Sequence, residues 1–230
     1  NSTFKTNPYM ERAIMTGITR VSKESVFSDL NNLVVVTTTS EQYADCFGFT
    51  EKEVFESIEK YGMSDKKAVV KQWYDGFTFG SLKDIYNPWS ITNFLKEKKL
   101  KPYWAATSSN ALISRLIQES SAEIKSLMES LVNGKSIEVN FDEQIVFNRL
   151  EKDESAIWSL LLASGYLKVD SIVHKGITLE PWYRLSITNL ETISMFSNLF
   201  KGWFADVSSN YNEFVKALFS GDVKAMNVYM

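Results

Sequence analysis

Apolar residues recur at helical spacing over several stretches of this chain, and short β-branched runs separate those stretches. Thr50 to Tyr61 is predicted helical. Val54, Phe55 and Ile58 form one face, Thr50 can cap the start, and Glu53 lies three residues on to complete a capping box. Ser64 is read as the cap of a second helix ending near Trp73. Asn87-Pro88 opens a third, with asparagine as cap and proline in the first turn, where no amide hydrogen is needed. Trp89, Ile91, Phe94 and Leu95 are expected to face a core. Ser108 or Ser109 caps a fourth helix carrying Leu112, Ile113, Leu116 and Ile117. A fifth runs from about Ala122 to Val132 and stops at Asn133-Gly134. Ala156 to Ala163 is an apolar helix ended near Gly165, and Leu190 to Phe204 and Tyr211 to Phe219 are two more.

Strands are predicted where β-branched residues cluster or alternate. Val34-Val35-Val36 marks one, Ile137 and Val139 a second. Tyr166 to Val169 and Tyr183 to Ile187 pair as a ribbon around a loop holding His174 and Gly176. Ala13 to Ile18 reads as a buried strand ending at Gly17 or as the end of a helix. The fold class is mainly α with short β elements, an α+β arrangement. A helix followed by a two-stranded ribbon gives its later part a winged-helix-like character, and a loose division falls near residue 134.

Composition narrows the function classes. The 230 residues are 44% apolar, enough for one sizeable core or two small ones. Net charge is -3, from 25 basic and 28 acidic side chains, which argues against a general nucleic-acid coat or a polybasic membrane anchor. One cysteine, Cys46, excludes an internal disulfide and suits a reducing compartment, so a cytoplasmic location and no membrane partner are expected. No signal peptide or membrane-length apolar run is visible. The chain lacks an initiating methionine, and Asp222 to Met230 reads as a helix stopped in mid-course.

No segment supplies a complete catalytic constellation. Gly134-Lys135-Ser136 lacks the preceding glycine-rich amide nest that a phosphate loop needs. His174 is the only histidine, and with one distant cysteine it cannot make a Cys/His zinc site, so no metal site is expected. Glu97-Lys98-Lys99 carries the letters of a nuclease motif at a helix end, away from any core strand, and the lysines 96, 98, 99 and 101 suit the negative end of that helix. Trp73-Tyr74-Asp75-Gly76-Phe77-Thr78-Phe79-Gly80 is the densest block. Asp75-Gly76 and Gly80 imply turns, and Trp73, Tyr74, Phe77 and Phe79 would pin the loop in an apolar seam. Tyr86-Asn87-Pro88-Trp89 and Tyr103-Trp104 read the same way.

Taken together, Met15 to Leu33, Phe47-Gly48-Phe49-Thr50, the Trp73–Gly80 block, Tyr86 to Ser90, Tyr103-Trp104 with Thr107 to Asn110, and Ile157 to Leu167 resemble the bacterial AAA-ATPase-like family. The resemblance covers about residues 3 to 204. It implies a longer protein with a P-loop ATPase core ahead of this chain and a PD-(D/E)XK nuclease-like domain behind it. Residues 1–40 would then be the C-terminal strand region of the core and 41–134 a helical lid-like region. A winged-helix-like region would span 135–204, and 205–230 would begin the nuclease-like domain. Thr16 would be a sensor-like residue at a strand end and Arg20 a basic residue near the nucleotide. ATP and magnesium are implied for the longer protein, with no cofactor held by this part and no activity of its own. The chain departs from the family after the second ribbon strand, where Asn189-Leu190-Glu191-Thr192 stands in place of Asn-Lys-Glu-Val. The competing expectation is a non-enzymatic module, on a degenerate ATPase scaffold, that binds a protein or DNA.

Overall fold

The computed structural model describes residues 7–14, 16–17, 34–105, 111–141, 153, 155–201, 222 and 224. Two apolar cores organise them, each beside its own three-stranded antiparallel sheet. The first sheet comprises β1 (Phe49–Thr50), β2 (Phe77–Phe79) and β3 (Leu82–Tyr86) in the order β1-β3-β2. Helix α1 (Glu51–Lys60) starts on the expected capping box, in which the Thr50 amide donates to Glu53 and the Glu53 amide donates to Thr50 Oγ1. It buries Val54 and Ile58 against Val70 and Tyr74 of α2 (Lys67–Tyr74). Ser64 does not cap α2. It opens a 3-10 turn, Ser64–Lys66, and α2 begins behind Lys66 with no side-chain cap. In α3 (Pro88–Glu97), Asn87 Oδ1 accepts from the amides of Trp89 and Ser90, and Pro88 takes the first turn. Ile91 and Phe94 are buried as expected, whereas Trp89 is 56% exposed on the outer face.

The second core gathers α4 (Ala111–Glu119), α5 (Ala122–Val132), α6 (Ala156–Ala163) and a second sheet. That sheet contains β4 (Ile137–Val139), β5 (Leu167–Lys175) and β6 (Glu180–Ile187) in the order β4-β6-β5. Helix α7, described over 190–201, packs Met195 and Phe196 into the same core. From Ala156 to Leu162, α6 is buried at every position. The ribbon runs longer than its apolar pattern implies. His174 lies within β5 opposite Pro181, not in the turn, and an irregularity in register near Asp170 re-aims the strand. Val34 to Val36 form no strand in the structure and are exposed. The expected caps Ser108 and Ser109 and the helix Tyr211 to Phe219 lie outside the described residues. No helix among those described is long and apolar enough to cross a membrane.

Candidate functional site

The Trp73–Gly80 block feeds two neighbouring regions. Tyr74 ends α2 inside the first core, and its hydroxyl donates to the Lys101 carbonyl at 3.0 Å while accepting from the Lys101 amide at 3.2 Å. Burial raises its pKa well above the usual phenol range. Trp73 lies beside it, with ring centroids 6.1 Å apart. At the far end, the Gly80 amide donates to the Thr38 carbonyl, fastening Phe79 and the β2–β3 turn to segment 37–41.

Asp75 turns toward a charged cluster. One carboxylate oxygen from each of Glu51, Asp75 and Asp84 lies within 4.8 Å of the others. Lys71 Nζ sits among them, ion-paired to Glu51, 3.3 Å from Asp84 and 3.9 Å from Asp75. The Tyr86 hydroxyl donates to Glu51 at 3.2 Å. Hydrogen bonding to Glu51 raises the Lys71 pKa, keeping the ammonium charged. Asp75 Oδ1 is buried without a hydrogen-bond partner. Burial first, and then the adjoining Asp84 carboxylate, push Asp75 up to about 6. The three carboxylates offer oxygen ligands to a cation, and Lys71 supplies that cation from within the chain.

Gly76 and Phe77 turn the other way, onto the second core. A Cβ at Gly76 would lie 2.1 Å from the Thr188 carbonyl oxygen, and the backbone there has φ of +118°. Only glycine lets the two backbones meet this closely. Phe77 packs on Gly165, where a Cβ would come within 2.7 Å of its ring. Phe77 also meets Trp104 edge-on at 5.8 Å, and Trp104 contacts Tyr166 at 5.1 Å. On the second core's own side, Thr188 donates its hydroxyl to the Gly165 carbonyl at 2.7 Å.

At the end of the seam stands Glu191, fully buried in the first turn of α7. Its Oε2 accepts from Ser90 Oγ at 2.8 Å, and its Oε1 accepts from the amides of Trp104 at 2.7 Å and Ala105 at 3.4 Å. Burial raises the Glu191 pKa, opposed by the Ser90 hydroxyl and the amides of 103–105. Asn189 Oδ1 accepts from both the amide and the hydroxyl of Thr192 and so caps α7. The turn Asn189 to Thr192 therefore has a structural role with leucine and threonine at positions 190 and 192. Its signal in the sequence was a cap residue followed by a carboxylate among apolar neighbours.

Asn87 and Pro88 serve α3 and bring Ser90 to Glu191. Thr16 lies exposed in irregular chain, and Arg20 lies outside the described residues. Gly134-Lys135-Ser136 ends a helix and does not form a phosphate loop. The Gly134 amide bonds the Leu131 carbonyl and the Lys135 amide bonds the Ser130 carbonyl, so both close the end of α5 and neither is free for phosphate.

A curated protein of Azotobacter chroococcum mcd 1, described as "Uncharacterized protein in vnfD 5'region", is 25% identical over 179 residues, or 78% of this chain. The chain spans about a third of that protein's length, 32%. No family model and no solved structure matches the chain.

Proposed function

We propose that this chain is the part of an ATPase-like protein that links a nucleotide-binding core to a nuclease-like domain, and that it performs no chemistry alone. The observation that carries this reading is the seam. Blocks from which the family resemblance was drawn meet there: Gly76 and Phe77 from one, Ser90 from another, then Trp104, and finally Gly165 with Tyr166. Such an arrangement suits a relay between domains. The greater length of the Azotobacter relative suits a multi-part protein. The order α5-β4-α6-β5-β6, with the sheet order β4-β6-β5, supports a winged-helix-like second unit. ATP and magnesium would be held by the longer protein, to which Thr16 and Arg20 would contribute. Calorimetry with ATP and magnesium on that longer protein should show binding that weakens about tenfold in Arg20→Ala. The 230 residues alone should neither bind ATP tightly nor hydrolyse it. Magnesium-dependent turnover by the 230 residues, or no binding by the longer protein, would overturn the reading.

A second reading, a protein-binding module, draws on the ribbon. Ile172, Val173, Ile177 and Leu179 are exposed along it, and Ile177 at its tip is bare of neighbours. A helix that reads DNA must present polar side chains to the groove. Helix α6 is buried from Ala156 to Leu162, its one polar residue Ser159 included, so this reading favours a protein partner over DNA. Failure of the longer protein to bind ATP, together with loss of a captured partner on Ile177→Asp, would favour it.

A further inference from the structure

We infer that Glu191 locks a hinge at residues 103–105. Tyr103 packs in the first core and Ala105 in the second, so among the described residues the chain passes between its cores at this point. A connection of one or two residues leaves two packed bodies free to turn about it unless something holds the backbone. Glu191 holds it. The carboxylate takes the amides on both sides of the Trp104 carbonyl, and with its other oxygen it takes Ser90 on α3 of the first core. The grip comes from α7, whose buried apolar residues, Met195 and Phe196, belong to the second core. One side chain, carried on α7 of the second core, thus holds α3 of the first core and the segment between them.

The chemistry of the group suits the task. An ionised carboxylate accepts only, with about four lone-pair positions on two oxygens, so it can take several converging donors at once. No neutral side chain of this length does the same. Glutamine keeps one accepting oxygen for the amides and turns its amide nitrogen to the Ser90 hydroxyl, which can accept. The partners of Glu191 among the described residues include no cation, so the contact is directional and does not depend on a mobile surface lysine. The rest of the seam is ring packing and close backbone approach at Phe77, Trp104, Tyr166 and Gly76. Such contacts can separate without unfolding either core. Loss of Glu191 therefore opens the hinge first and leaves each core its own packing. Nothing in this lock requires the ATPase-like reading to hold.

Hydrogen exchange on the full 230-residue chain tests the lock, comparing the parent with Glu191→Ala, Glu191→Gln and Ser90→Ala. In Glu191→Ala the amides of Trp104 and Ala105 should exchange roughly 100-fold faster, while those of Ile58 in α1 and Leu161 in α6 keep their protection. Glu191→Gln should fall between the parent and the alanine variant, and Ser90→Ala should loosen 103–105 less than either. Urea unfolding of Glu191→Ala should separate into two transitions, one for each core. Unchanged exchange at 104 and 105 would overturn the lock. So would an equal loss of protection across both cores with a single unfolding transition, because Glu191 would then act on general stability alone. If Glu191→Ala does not fold, Glu191→Gln and Ser90→Ala decide by the same pattern: selective loss at 103–105 supports the hinge, and uniform or no loss sinks it.

Discussion

Asp75 and Glu191 are both withdrawn from water, and they are accommodated in opposite ways. Glu191 is surrounded by donors: two backbone amides and a hydroxyl converge on it and no other carboxylate is among them. Asp75 is surrounded by its own kind, with Glu51 and Asp84 beside it, one lysine shared among the three, and one oxygen that no donor reaches. The first arrangement fixes geometry, because each donor would be left unsatisfied if the carboxylate moved. In the second, burial first and then the adjoining Asp84 carboxylate create a demand for a proton, and Asp75 is pushed up to about 6. Asp75 and Gly76 are neighbours in sequence, yet one faces the charged cluster and the other faces the seam that Glu191 closes. A two-residue turn thus joins a region that tolerates change to one that does not.

The largest effect that would break this contrast lies at Gly76. Gly76→Ala should cost about 4 kcal/mol in urea unfolding, since its methyl meets the Thr188 carbonyl and its φ is unsuited to alanine. A cost under 1 kcal/mol would show that the seam yields. Glu191→Gln, which keeps an acceptor for the amides, should cost about 1–2 kcal/mol in the same experiment, whereas Glu191→Ala should split the unfolding curve into two transitions. Asp75→Asn should go the other way and stabilise the chain by about 1–2 kcal/mol near pH 7.5, because the amide supplies donors where the carboxylate wanted a proton. The sign follows from the raised pKa. Stability owed to protonated Asp75 is complete below the ordinary carboxylate range and is lost as pH rises through about 6. The advantage of Asp75→Asn should therefore nearly vanish at about pH 4, and paired urea midpoints at the two pH values measure it. An advantage that does not change with pH would show that Asp75 is not the titrating group. Smallest is Tyr86→Phe, which removes one hydroxyl from Glu51 while Lys71 remains, and should shift stability by less than about 1 kcal/mol.

Local chemistry was legible in the sequence and long-range chemistry was not. Thr50 with Glu53, and Asn87 with Pro88, announce their helices because cap and capped amides lie within three residues of each other. Ser64 carried the same type of signal and failed, because a 3-10 turn intervened before the helix began. His174 was misplaced because the ribbon continues through exposed positions, where no buried face enforces the alternation that pattern reading follows. Trp89 was expected to face the core with Ile91, Phe94 and Leu95, yet its place on α3 points outward. The aromatic density of the Trp73–Gly80 block marks it in the sequence, but the surface it packs on does not show there. Glu191 was the least visible of all. Its partners lie 86, 87 and 101 positions away, and no spacing rule reaches that far.

That distance has a consequence in time. The first core is assembled from residues 54 to 103, a continuous stretch, and the element that fixes its attitude to the second arrives with Glu191. At roughly 5–20 residues per second, a ribosome delivers Glu191 about 4–17 s after Ala105. The first core can be finished in that interval while the crossing at 103–105 still swings freely. The relative setting of the two halves is therefore decided after the first core has emerged, by a side chain that closes a joint already built.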